Sequence, residues 1–106
     1  MTIEKSPRGL ASKLDAKQYQ QFLRRAVPEL KQDCGHLLEL LQTQQWTEST
    51  HAAHKLLSVC KLLELDALLP LLQRIHDDRG QSGIADAAQW QPLYQAELAA
   101  LEATLS

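Results

Sequence analysis

The chain has 106 residues, 44% of them hydrophobic, and a formal charge of −2 at pH 7. That is enough for one domain with a buried core and no help from metals or disulfides, and the interleaving of acidic with basic residues argues against a counterion-driven grip on nucleic acid or an anionic membrane. Apolar runs are too short and too interrupted by charge to span a bilayer, and the first residues carry no charged segment followed by an apolar run and a cleavage site, so a cytoplasmic location is expected.

Residues 1–11 hold Pro7 and Gly9 among polar neighbours without periodicity and read as a flexible arm, leaving a single helical domain over 12–106. Ser12 or Asp15 can cap a first helix with apolar Tyr19, Phe22, Leu23, Ala26 and Val27, and Pro28 is expected to break it, kink it or open the next helix. A second segment repeats Leu30, Cys34, Leu37, Leu38, Leu40 and Leu41 at helical spacing to about Gln44, with Gly35 as a soft spot. Thr47 is the expected cap of a third helix running to about Leu63, with Trp46 packing back over the cap. A fourth, starting at Asp66 or near Pro70, carries Leu68, Leu71, Leu72 and Ile75. Residues 77–83 form the clearest loop, and a last helix from about Asp86 presents Trp90, Tyr94, Leu98, Leu101 and Leu105. Nothing alternates with period two. The expected fold is all-α, an up-down antiparallel four-helix bundle with a short or kinked N-terminal helix.

The third helix carries the chemistry-bearing candidate. At roughly 100° per residue, Ala52, Ala53, Leu56, Val59, Cys60 and Leu63 fall on one side while His54 points away from them. An exposed imidazole on a rigid helix can carry a phosphoryl group, provided that a partner can reach it. Ser58, one turn on, supplies that clearance. Lys61, two turns on, tilts back toward the ring and is the better-placed cation, with Lys55 the second. His51 lacks a small neighbour and is expected at most to modulate the site. Leu57 and Leu62 lie off the core centre, so either they rim a docking patch or Leu57 packs at the bundle margin.

Other chemistries find little footing. His51 and His54 are an i, i+3 pair, but Cys34, Cys60, His36 and His76 add no ligand-like spacing, so no metal is expected. Cys34 and Cys60 read as reduced core residues, and Asp77-Asp78 as a turn rather than a calcium loop. There is no Gly-rich phosphate cradle, nucleophile elbow or convergent carboxylate pair, so no autonomous active site is expected.

The segments Phe22-Leu23-Arg24-Arg25, Pro28-Glu29-Leu30 and Leu37-Leu38-Glu39-Leu40-Leu41, then Trp46, Ala53-His54-Lys55-Leu56, Leu63 and Leu68, resemble the histidine phosphotransfer (HPt) domain family over about residues 15–76. That family's central helix reads Ala-His-x-Leu-Lys-Gly, with a leucine nine positions after the histidine; Ala53, His54, Leu56 and Leu63 match it. The chain departs at Leu57, where the family has lysine, at Ser58, where it has glycine, and at Glu64, where a glycine commonly follows the distal leucine. The resemblance implies that His54 is a phosphoacceptor relaying a phosphoryl group between receiver-domain aspartates in two-component signal transduction. It also implies a monomer whose partner is the receiver domain of a response regulator or hybrid sensor kinase. No cofactor belongs to such a domain, and magnesium comes with the receiver. Two alternatives stay open: a degenerate adaptor that binds a receiver or other partner without accepting phosphate, and a plain helical interaction domain.

Overall fold

The computed structural model describes residues 15–79, 81 and 83–105. The arm expected over 1–11 and the alternative cap Ser12 lie outside them. The elements are α1 (Ala16–Gln42), α2 (Trp46–Leu62), a short 3-10 turn (Asp66–Leu68), α3 (Leu69–Asp77) and α4 (Gly83–Ala103). Every described element is helical, with no strand among the described residues.

Asp15 opens α1 through a reciprocal capping box: its Oδ1 accepts from the Gln18 N–H at 2.7 Å, and Gln18 Oε1 accepts from the Asp15 N–H at 3.3 Å. The helix then runs for 27 residues straight through Pro28, so the two segments expected on either side of that proline are one helix, and α1 is neither short nor broken there. The balance of energies explains this. An interior proline costs about 3 kcal/mol, while each fully buried aliphatic side chain is worth roughly 1.5–3 kcal/mol. Leu23, Val27, Leu30, Cys34, Leu37 and Leu41 keep one buried register across the proline. Pro28 itself is exposed, as is Arg24, whose carbonyl loses its N–H partner.

Both α1 and α2 end in backbone-closed turns with a left-handed residue. Gln44 has φ 58° and the Gln45 N–H donates to the Leu40 carbonyl at 2.9 Å; Glu64 has φ 59° and the Leu65 N–H donates to the Cys60 carbonyl at 2.8 Å. Because the first of these turns is closed by the backbone, α2 starts at Trp46, after Gln45, with no side-chain cap. Thr47 therefore lies inside the helix rather than capping it. Trp46 is 49% exposed and does not pack over the cap.

The last helix begins at Gly83, before the expected Asp86, and both residues show why. A Cβ on Gly83 would lie 2.7 Å from the Leu41 carbonyl oxygen, so only glycine permits α4 to start against the end of α1. Asp86 is fully buried and pairs with Arg74 of α3, which ties the two helices together. Further along, the buried Trp90 indole donates to the Cys34 carbonyl at 3.0 Å. Near its end, α4 meets the middle of α1 through Glu102 to Lys31 at 2.9 Å, and just past that end the Thr104 carbonyl accepts from Gln20 Nε2, near the start of α1, at 3.2 Å. These contacts run α4 antiparallel to α1.

α2 packs on both α1 and α3, and α3 packs also on α4. Leu23, Leu37 and Leu41 of α1, Leu56 of α2, Leu68, Leu72 and Ile75, and Trp90 and Leu98 of α4 form one continuous core. No helix among the described residues is long and apolar enough to cross a membrane.

Candidate functional site

The site is built on the outward side of α2. Ala53, Leu56, Leu57 and Cys60 are buried against the neighbouring helices, and this anchors the backbone from which His54, Ser58 and Lys61 project. All three are exposed. At a rise of about 1.5 Å per residue, Ser58 sits roughly 6 Å and Lys61 roughly 10 Å along the axis from His54. The small Ser58 side chain leaves the approach to the imidazole open.

The remaining sequence-derived candidates divide. Lys55 is exposed, but its ammonium reaches Asp33 of α1 at 3.4 Å, which draws it toward the α1 side of the helix. His51 is exposed and faces two clefts, one shared with Asp33, His36 and Glu48, the other with Trp46, Thr50, His76 and Arg79. Leu62 is 40% exposed and borders a groove with Phe22, Arg25 and Val59 between α1 and α2. Leu57 is only 6% exposed and belongs to the core. Of the two placements left open for it, packing against the bundle is the one observed; its neighbour Ser58 takes the outward position.

A residue given no role by sequence completes the site. His76, on the last turn of α3, lies with its ring centre 5.5 Å from that of His54, the two planes inclined by 33°. Its Nδ1 is 3.3 Å from Asp77 Oδ1, and the same carboxylate oxygen accepts from Gln73 Nε2 at 3.0 Å. His76 carries no local signal on its own helix; only the packing of α3 on α2 brings it here, so spacing along the chain could not have found it.

The two thiols stand apart from this surface. Burial, above all, pushes Cys60 up to about 12, and Cys34 likewise to about 12 with smaller contributions from Cys60 and Asp33. Both are free cysteines in the interior, and a protonated, enclosed thiol is a poor nucleophile. What the outward side of α2 offers is an accessible imidazole nitrogen with a second imidazole beside it and a lysine two turns away, a set suited to holding a small anionic group. No protein-family model, curated protein or solved structure matches the chain.

Proposed function

We propose that the chain is a histidine-containing phosphotransfer domain, in which His54 accepts a phosphoryl group from the aspartyl phosphate of a receiver domain and later passes it to another receiver. The observation that carries this reading is the exposure of His54 in the middle of α2, with the small exposed Ser58 one turn on, while Ala53 and Leu56 of the same helix are sealed in the core. In the transfer, the lone pair of the unprotonated His54 nitrogen forms the N–P bond as the O–P bond of the aspartyl phosphate breaks, its electron pair returning to the carboxylate. Magnesium at the receiver supplies the charge neutralisation on that side.

The finer architecture belongs to the same proposal. The neighbour pairs α1 with α2, α2 with α3, α3 with α4 and α4 with α1 fit the ring of contacts in an up-down antiparallel four-helix bundle. Position 64, where the family commonly carries glycine, has the left-handed backbone that glycine adopts without penalty. The protein is proposed to act in the cytoplasm as a monomer, with the exposed stripe around His51, Ser58 and Leu62 docking the receiver and with no nucleic-acid or membrane partner.

The buried Leu57, standing where the family has a lysine, favours one second reading: an adaptor that docks a receiver without accepting phosphate. Incubation with a radiolabelled phosphorylated receiver separates the two. Transfer of an acid-labile, alkali-stable label that disappears in His54→Gln supports the carrier. Receiver binding with no label on the wild-type chain would establish the adaptor instead.

A further inference from the structure

We propose that His76 of α3 is the residue that holds the phosphoryl group once it is on His54, supplying from a neighbouring helix the hydrogen bond and charge that α2 does not provide at position 57. The proposal rests on the reading of His54 as the acceptor and names the positioning residue of that same site.

The candidates on α2 itself are poorly placed. Leu57 is apolar and buried. Lys55 is drawn to Asp33 across the α1 side. Lys61 lies about 10 Å along the helix axis from His54, at the end of a flexible exposed side chain whose ordering costs rotamer entropy. The His76 ring is already 5.5 Å from the His54 ring, centre to centre.

His76 is also held in place before any phosphate arrives. Leu71, Leu72 and Ile75 bury the inner side of α3 and fix the backbone beneath it. Asp77 Oδ1 takes up Nδ1 at 3.3 Å and is itself tethered by Gln73 Nε2 at 3.0 Å. With Nδ1 facing Asp77 Oδ1, Nε2 is the ring nitrogen left for a second partner. When His54 forms its N–P bond, the phosphoryl oxygens bring negative charge beside this ring. In the proposed arrangement His76 donates Nε2–H to a phosphoryl oxygen. A donor oriented in advance loses little order when it makes that bond, and a charged one makes a stronger bond than a neutral one.

The test uses phosphoramidate as a small donor, so that docking of a receiver plays no part. The His54 lone pair attacks phosphorus, the P–N bond of the donor breaks, and its electron pair leaves with a proton as ammonia. Phosphohistidine is followed by 31P NMR and by its hydrolysis rate after the donor is removed. The wild-type chain is expected to show one phosphohistidine resonance that is absent in His54→Gln. His76→Ala is expected to retain that resonance at a shifted position, with hydrolysis roughly tenfold faster, the loss expected for one charged hydrogen bond. His76→Gln, which keeps an N–H donor, restores part of the lifetime. Melting temperatures close to wild type in both variants separate this from a merely structural role. Unchanged lifetime and resonance in His76→Ala would overturn the proposal while leaving His54 as acceptor. A wild-type chain that takes no label, or one whose label survives His54→Gln and vanishes in His76→Ala, would overturn the His54 reading and this proposal with it.

Discussion

The imidazoles of His54 and His76 lie 5.5 Å apart, centre to centre, although the first projects from the middle of α2 and the second from the last turn of α3. Their meeting depends on α2 burying Leu56 and Leu57 and on α3 burying Leu72 and Ile75 in the shared core. The site is therefore a product of packing, and substitutions on either side of a helix should separate its folding from its function.

Adjacent residues of α2 provide that separation. Leu57→Ala empties a core position and is expected to cost about 2–5 kcal/mol of stability. Ser58→Arg places bulk on the exposed side and is expected to change stability by no more than about 0.5 kcal/mol, while abolishing receiver binding by obstructing the approach to His54. Chemical denaturation and a binding titration on each variant check both halves. A severe loss of stability in Ser58→Arg would place that residue inside the core and undo the orientation assigned to α2.

Gly35 and Gly83 should respond to alanine with opposite signs. A Cβ on Gly35, inside α1, would meet only the Tyr94 hydroxyl at 3.9 Å, an ordinary contact. Gly35→Ala is expected to stabilise the chain by about 0.5–1 kcal/mol through helix propensity. At Gly83 the added Cβ falls 2.7 Å from the Leu41 carbonyl oxygen, and backbone must move. Gly83→Ala is expected to destabilise by roughly 1–3 kcal/mol, read as a lower thermal midpoint.

Glu64 stands at the end of α2 with φ 59°, a conformation that costs a side-chain-bearing residue about 1 kcal/mol. Its carboxylate also contributes, after burial, to raising the Tyr19 phenol. Glu64→Gly is expected to raise stability by roughly 0.5–1 kcal/mol once the extra freedom of glycine in the unfolded chain is subtracted. A melting temperature below wild type would mean that Glu64 makes an interaction worth more than the strain it bears.

Much of this was written locally in the sequence. The repeat of Leu30, Cys34, Leu37 and Leu41 specified the buried side of α1, and the 100° projection placed His54 and Ser58 outward because their helix is regular. The failures are residues whose environment is set by another element. Pro28 reads as a breaker locally, yet the core on both sides of it holds one helix together. Leu57 sits at the margin of a single-helix projection and is covered only when α2 has packed against its neighbours. Asp86 reads as a helix start, while its burial beside Arg74 requires α3 to be in place. His76 is the same case in its most consequential form.

The buried thiols give a pH dependence whose sign follows directly. Cys34 and Cys60 sit at about 12 in the folded chain, against about 8.5 when unfolded. Below that unfolded value both states keep their protons and the full stability is present. Between about pH 8.5 and 12 the unfolded chain loses thiol protons that the folded chain retains, so stability falls as pH rises. Urea midpoints should decline from pH 8 to pH 10, and a thiol-specific reagent should modify the native protein only as fast as it opens. Rapid stoichiometric labelling of native protein would show that the thiols are not enclosed.

The most direct measurement is mass spectrometry, under neutral to alkaline conditions, of the chain after incubation with a phosphorylated receiver, fragmented so that the modified residue is read from the spectrum. One phosphoryl group is expected on His54, lost when unphosphorylated receiver is added back. A phosphoryl group found on any other residue, or none on a chain that binds the receiver, would contradict it.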